Sequence, residues 1–288
     1  MITMKFDSNL AWQQALSQLS ANRAVLVPVA GVFFLLPSLV SVWFLSDFQS
    51  LMLANLRNPA AAEGAMQGMM GKVAGLGLLT FVVQVMGYMA LLALLTDHQR
   101  PTVGEAIGHA ARCLPALIGA ALLAYLGLVL GGGTLVALVA ALAAVTKLAA
   151  LAVVAGIAAF VAFLWVLTRL SLTMPVIVID GLRRPLLAMR RSWQLTHGNG
   201  LRILAFFILL GIGYGVLSVV FFMGLALLFG MGEAASGLPQ AGTAAMVALG
   251  LVSGVVSAVV SVLFTGILAS IHRQMAGPSA GAVSDTFA

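Results

Sequence analysis

The sequence predicts an all-α fold, a polytopic membrane bundle of six transmembrane helices with amphipathic helices lying at one face. Three observations lead there. Of the 288 residues, 62% are hydrophobic and 8% charged, whereas a soluble domain carries about 25% charged residues. Its apolar runs are long enough to cross a bilayer, whose hydrocarbon takes roughly 20 helical residues. Its cations are unevenly spread: residues 169–202 hold six of the 14 Lys and Arg. The bilayer replaces the water-excluded core of a soluble protein, so residues 1–274 read as one transmembrane domain.

Residues 8–22 are too polar to span. Trp12, Ala15, Leu16 and Leu19 make a narrow apolar stripe and Ser8 is the candidate N-cap, so an interfacial helix leads into the first span. Span 1 covers about 25–45; Pro28 near its start costs little, whereas Pro37 should kink it. Residues 46–72 read as a loosely helical external loop. Met66, Met69 and Met70 there carry thioethers of the kind that bind Cu(I), but no His or Cys accompanies them and Met commonly fills apolar contacts. Span 2 covers about 74–95, and Gly71 and Gly75 at its start, with a facing Gly64 and Gly68 pair, have small-xxx-small spacings that favour close helix contact.

Thr102 and Glu105 have capping-box spacing, which starts a short helix running to about Arg112. His98 and His109 straddle Pro101 in poor chelating geometry and read as surface histidines near headgroups. Residues 113–146, with three glycines at 131–133, are too many for one span and marginal for two. Span 3 therefore takes about 114–135, and the Ala-rich remainder lies at the far surface. Span 4 covers about 148–170 and places Arg169 at the opposite headgroups, after which Pro175 breaks any straight helix. Spans 5 and 6 cover about 203–229 and 244–271, joined by a short acidic loop with Glu233 and Pro239. Gly250, Gly254 and Ala258 give span 6 a small face for tight packing, and the tail 275–288 reads as disordered.

The basic segment between spans 4 and 5 carries the functional expectation. As a helix from about Leu182 to Thr196, it sets Leu182, Leu186, Met189 and Trp193 along one side and gathers Arg183, Arg184, Arg190 and Arg191 away from it. Pro185 suits the first turn, and Gly198 and Gly200 suit the exit. Such a helix lies in the headgroup layer with its apolar side inward and its arginines toward anionic phosphates. Asp180 either caps it or pairs with Arg183 or Arg184; a sharper alternative is a headgroup pocket built from Arg169, Asp180, Arg190 and Arg191. With six spans, Lys5, Arg23, Arg100, Arg112, these five arginines with Arg202, and Arg273 share one side, against Arg57, Lys72 and Lys147 on the other. That bias puts both termini in the cytoplasm.

Catalytic and metal chemistry find little to work with. The eight carboxylates sit in loops or at span ends, without a recognisable pair, and there is no H-x-x-x-H, C-x-x-C, G-x-S-x-G or P-loop. GIGYG at residues 211–215 resembles part of a dinucleotide loop but lies inside an apolar span with no strand before it. The one cysteine, Cys113, excludes an internal disulfide. The pI of about 10.3 points to anionic lipid rather than nucleic acid. No ionisable residue is evident at mid-membrane, which weighs against ion-coupled transport. Helix breaks at Pro37 and at the glycine triplet would leave a passive pathway open.

Residues 169–181 (RLSLTMPVIVIDG), the Ala-x-x-x-Ser-Trp-x-Leu-Thr pattern at Ala188, Ser192, Trp193, Leu195 and Thr196, the run from Pro101 to Ile107, and the closing span ending near His272 and Arg273 resemble one bacterial family. It is the membrane domain found ahead of some glycerophosphoryl diester phosphodiesterases and in stand-alone six-span inner-membrane proteins. The resemblance implies a membrane-docked helix without the phosphodiesterase activity, whose catalytic barrel takes about 250 residues. The expected function is thus a non-enzymatic, cofactor-free inner-membrane protein. Arg169, Asp180, Arg183, Arg184, Arg190, Arg191 and Trp193 are its candidate headgroup contacts, and anionic lipid or a protein its partner. The alternative is a passive transporter or lipid-handling protein.

Overall fold

The computed structural model describes residues 5–41, 59–95, 101–146, 149–228 and 243–277, and every regular element among them is helical. Six segments are long and apolar enough to cross a membrane: Arg23–Ser41, Gly68–Leu94, Val103–Val139, Val153–Val178, Gly200–Phe221 and Val247–Ala276. The six-span bundle is therefore the fold of this chain.

Helix α1 (Ser8–Ala21) is capped by Asp7 rather than Ser8. The Asp7 carboxylate accepts from the N–H groups of Asn9 (2.9 Å) and Leu10 (3.0 Å), and its charge complements the positive end of the helix dipole. Ala11 and Ala15 are buried, and the helix lies against the end of the last one. The Asp7 N–H donates to Gln274 Oε1 (3.2 Å) and Gln274 Nε2 donates back to Asp7 O (3.3 Å). Helix α2 (Arg23–Ala30) passes through a π-helical turn, Gly31–Leu35, before continuing to residue 41. Pro37 lacks the N–H that would bond the Phe33 carbonyl, and the π-helical turn that contains Phe33 lets the helix continue past it to residue 41. Residues 42–58, which include the end of the expected span 1, lie outside the described residues.

Helix α3 (Pro59–Leu94) is continuous, so the latter part of the expected loop is already the start of span 2. Among the described residues the glycine spacing makes no close contact: a Cβ at Gly68, Gly71 or Gly75 would meet nothing within 4 Å. The close approach falls at Gly87, where a Cβ would stand 2.6 Å from Phe33 Cβ. One residue on, Tyr88 stacks edge-on against Phe34 (4.8 Å) and its hydroxyl meets Ser261 Oγ at 3.0 Å.

The expected capping box is formed: Glu105 Oε2 accepts from Thr102 N–H (2.8 Å) and Thr102 Oγ1 from Glu105 N–H (3.4 Å). The helix it starts does not stop near Arg112. It continues as α4 (Val103–Gly127), a π-helical turn (Leu128–Gly132) and α5 (Gly133–Thr146). Ala106, Ala110, Cys113, Ala116 and Ala120 form an unbroken buried stripe along α4, and burial of that face outweighs the bond lost at Pro115. The glycine triplet is no break either, because the Thr134 hydroxyl donates to the carbonyls of Leu130 and Gly131 in the widened turn.

Helix α6 (Ala149–Leu170) ends three residues before α7 (Thr173–Val178). Pro175 cannot tolerate a helical carbonyl at Ser171, and Ser171 Oγ closes the turn on Thr168 O (2.8 Å). Helices α8 (Pro185–Leu195), α9 (Gly200–Leu228) and α10 (Thr243–Ala276) complete the chain. The small face of α10 does pack closely: a Cβ at Gly254 would lie 3.2 Å from Leu35 Cα, and Ala258 joins the core. Residues 275 and 276, expected in the disordered tail, finish α10, and Gly277 leaves it at φ +76°. The loop with Glu233 and Pro239 lies outside the described residues.

Buried side chains gather at one end of the bundle, in 89–95, 172–178 and 267–271. At that end Asp7 meets Gln274, Phe6 meets Asn199, His109 meets Val178, and Asp180 meets His272. The two described chain ends, the start of α4 and the basic segment therefore share one face, the grouping that the charge count required. Gly87→Ala should lower stability by about 1–3 kcal/mol, the ordinary cost of overpacking, whereas Gly71→Ala should be neutral or slightly stabilising. Thermal unfolding of the detergent-solubilised variants checks the contrast; equal midpoints would contradict the Gly87–Phe33 contact.

Candidate functional site

The basic helix α8 starts at Pro185, not at Leu182. Proline has its φ preset for the first helical position and no N–H to leave unpaired there. Before it, residues 181–184 run without helix, and Gly181 at φ +69° turns the chain in a conformation few other residues adopt. At the other end Gly198 supplies φ +82°, as its place in the exit suggested. Gly200, expected in the same exit, is instead the first residue of α9, and its missing Cβ admits the Trp165 ring, which would stand 2.9 Å from one.

The face of α8 that docks on the protein is Ala188, Ser192 and Leu195. The larger stripe is divided: Leu182 and Met189 pack partly buried against the core, whereas Leu186 (67% exposed) and Trp193 (40%) point outward beside Leu187 (44%). Small residues allow α8 to approach the end of α6, where Ser192 Oγ donates to Arg169 O at 2.7 Å. Periodicity marks α8 as amphipathic but does not say which face meets protein, since hydrocarbon is as good a partner as the bundle for a large apolar side chain. Pro185 packs on α4 beside Gly119, so α8 bridges α4 and α6.

The seven candidate residues do not form one cluster. Arg183, Arg184 and Arg190 are exposed, with the Arg183 guanidinium reaching toward the Cys113 thiol. Arg169 stands apart from them, 8% exposed. Its guanidinium lies over the rings of Trp165 (4.8 Å) and Trp193 (5.3 Å) and points Nη1 toward Trp193 O (3.4 Å) and Thr196 Oγ1 (3.5 Å). No carboxylate pairs with it among the described residues, and its Nε is buried without a partner. The charge is held by two indole faces and by the negative end of the α8 dipole. A headgroup contact is therefore replaced here by a cap on the C-terminus of α8.

Asp180 neither caps α8 nor pairs with Arg183 or Arg184. It lies 3.9 Å from Arg191 Nε and 3.2 Å from Nε2 of the buried His272, an ion-pair distance without hydrogen-bond alignment. The turn at Gly181 directs it back to α10. His109, expected at the surface, is half-buried, with Nε2 3.0 Å from Val178 O at the end of α7. That carbonyl has no partner within so short a helix, so a donor from α4 meets it. Sequence reading missed Asn199, whose Oδ1 accepts from Phe6 N–H (3.0 Å) and whose Nδ2 approaches Met275 Sδ (3.6 Å). It also missed His272, for which no local signal exists. The Trp165–Arg169 contact did have one, an i, i+4 aromatic–cation spacing on a helix. Met69 is buried and Met70 exposed, and among the described residues no group of three His, Cys, Asp or Glu side chains is placed to hold a metal.

An all-helical, six-span bundle with a cationic amphipathic helix at one end defines a polytopic membrane protein. A family model described as "Domain of unknown function (DUF7847)" matches residues 10–275, and the chain belongs to that family. No curated protein and no solved structure matches it.

Arg169→Lys should destabilise the protein by about 1–3 kcal/mol, because an ammonium cannot lie flat between two indoles or present the same fork of donors. Arg184→Lys, at an exposed position, should change stability by less than about 0.5 kcal/mol. Unfolding midpoints in one detergent test this; equal effects at both positions would contradict a structural role for Arg169.

Proposed function

We propose that this chain is a non-enzymatic protein of the bacterial inner membrane, with both termini in the cytoplasm, that rests its α8 platform on anionic lipid headgroups. One observation carries the reading. Exposed Leu186, Leu187 and Trp193 stand on the same short helix as exposed Arg190, just beyond exposed Arg183 and Arg184. In water that apolar surface would be unfavourable. At a headgroup layer the indole and leucines enter the acyl boundary while the arginines meet phosphate, at about 1 kcal/mol for each cation near an anionic surface. The orientation rests on the charge bias, since the cation-rich segments share the end that carries α8. A lipid-handling role has its own support in a cavity between helices, considered below; a protein partner would use the same α8 surface.

Two measurements test the proposal. Cys113 is the single cysteine and is buried, so His197→Cys, in the exposed turn after α8 and outside its lipid-facing side chains, introduces a reachable thiol. A membrane-impermeant maleimide should label it only after spheroplasts are permeabilised; rapid labelling from outside would reverse the orientation. Arg190→Ala/Arg191→Ala should lower the anionic share of phospholipid retained through mild detergent extraction by roughly tenfold. An unchanged lipid profile would remove the headgroup reading.

A further inference from the structure

Helix α9 is held at one end and stands off along the rest. It touches α6 where Gly200 meets Trp165, and the N-terminal segment where Phe206 meets Phe6 (ring centroids 5.6 Å apart). It makes little backbone approach to α10, reaching it through the Phe207–Phe264 ring pair at 6.4 Å. The gap is a cavity of about 860 Å³, a volume within the roughly 300–1,000 Å³ of sites that enclose a small molecule. Its wall on α9 runs from Leu204 to Leu217, roughly 20 Å of helix and more than half of the ~30 Å hydrocarbon thickness.

This space offers water almost nothing. Tyr88 and Ser261 bond each other at 3.0 Å, while Thr168 Oγ1 and Ser171 Oγ each donate to a carbonyl of their own helical turn at 2.8 Å. The other polar groups of the wall are the Tyr214 hydroxyl and the Trp12 indole N–H, both on side chains partly exposed at its border, and the rest is aliphatic and aromatic. Left empty, the gap would forfeit the dispersion contacts of its lining, and water there would lack partners. A hydrocarbon chain meets both requirements. The GIGYG run, which has no dinucleotide role, shapes the site: Gly211 and Gly213 line it, and a Cβ at either would enter open space.

Two cations stand outside the lining near its α9 start: Arg202 is two residues before Leu204, the first α9 residue of the lining, and Lys5 precedes Phe6, which stacks on Phe206, a ring outside the lining. Both are exposed, and neither forms an ion pair among the described residues. Trp12, at the same end, lines the cavity and is partly exposed, the placement an indole favours at a membrane interface. We propose that this gap is a phospholipid site, holding one acyl chain between α6, α9 and α10 and an anionic headgroup at Lys5 and Arg202.

The test is the number of phospholipids per chain, counted by native mass spectrometry on the full-length protein after mild detergent extraction. The wild type should retain one. Gly211→Leu/Gly213→Leu should reduce that occupancy about tenfold, the loss expected when a bound chain gives up two buried methylenes. Gly215→Leu, on the same helix with open space around it but outside the lining, should leave occupancy unchanged. Lys5→Ala/Arg202→Ala should lower the anionic-to-zwitterionic ratio of the retained lipid, and combined with Arg190→Ala/Arg191→Ala should lower it further than the α8 pair alone. A wild type that retains none would overturn the proposal, as would a double leucine variant that unfolds at the wild-type temperature and retains as much lipid. So would a wild-type dimer that the double leucine variant converts to monomer with lipid unchanged, since a second copy would then fill the gap. If the double variant does not fold, Gly213→Leu alone and the Lys5/Arg202 pair decide by the same readout. Neither the glycine variants nor the Lys5/Arg202 pair touches α8, so failure here leaves the α8 reading standing, and failure at Arg190 and Arg191 leaves this one.

Discussion

A buried guanidinium with no carboxylate beside it among the described residues is the constraint around which the basic end of this protein is arranged. Arg169 lies at the end of α6, between the rings of Trp165 and Trp193 and against the last turn of α8. Removing a full charge from water costs several kcal/mol unless something replaces the hydration. Here the replacement is spread over two π faces and the carbonyl end of a helix, with Ser192 bonding the Arg169 carbonyl from the other side. The arrangement works only if α8 ends at Arg169, so it sets where α8 lies and which of its faces remains outside.

From that placement the rest of this end follows. With Ala188, Ser192 and Leu195 turned inward, Leu186, Trp193 and Arg190 are turned out. The turn at Gly181 returns Asp180 to His272 and Arg191, tying the segment before α8 to α10. Asn199 holds Phe6 and Met275 together at the start of α9. All these ties sit at one end of α9, so its far portion can stand away from α10 and leave a gap of lipid dimensions. The proposed headgroup platform and the proposed acyl site are consequences of the same one-ended fastening.

Side-chain chemistry in this bundle departs from soluble packing in a consistent way. Close helix approach occurs where a glycine meets backbone or a bulky ring, at Gly87 with Phe33, Gly254 with Leu35, and Gly200 with Trp165. Large aliphatic side chains are mostly left outside, because contact with lipid tails serves them as well as contact with each other. Two prolines and a glycine triplet that would disrupt a water-exposed helix are absorbed by π-helical turns or by burial of the surrounding face.

The sequence alone determined what depends on composition and local order. Apolar runs of membrane length specified six spans, Thr102 and Glu105 specified the start of α4, Gly198 marked the exit of the basic helix, and uneven cations grouped the segments that share one end. Those features act within a few residues or through the bilayer, whose thickness is the same for every span. Tertiary structure decided the rest: that Arg169 is a cap rather than part of an exposed cationic set, that Asp180 pairs with His272, that Gly87 and not Gly71 is a contact, and that Gly211 and Gly213 open onto a gap. Each of these depends on which residue of a distant helix lies opposite, and in a chain where most positions are apolar the pattern along one helix does not encode the face its neighbour occupies.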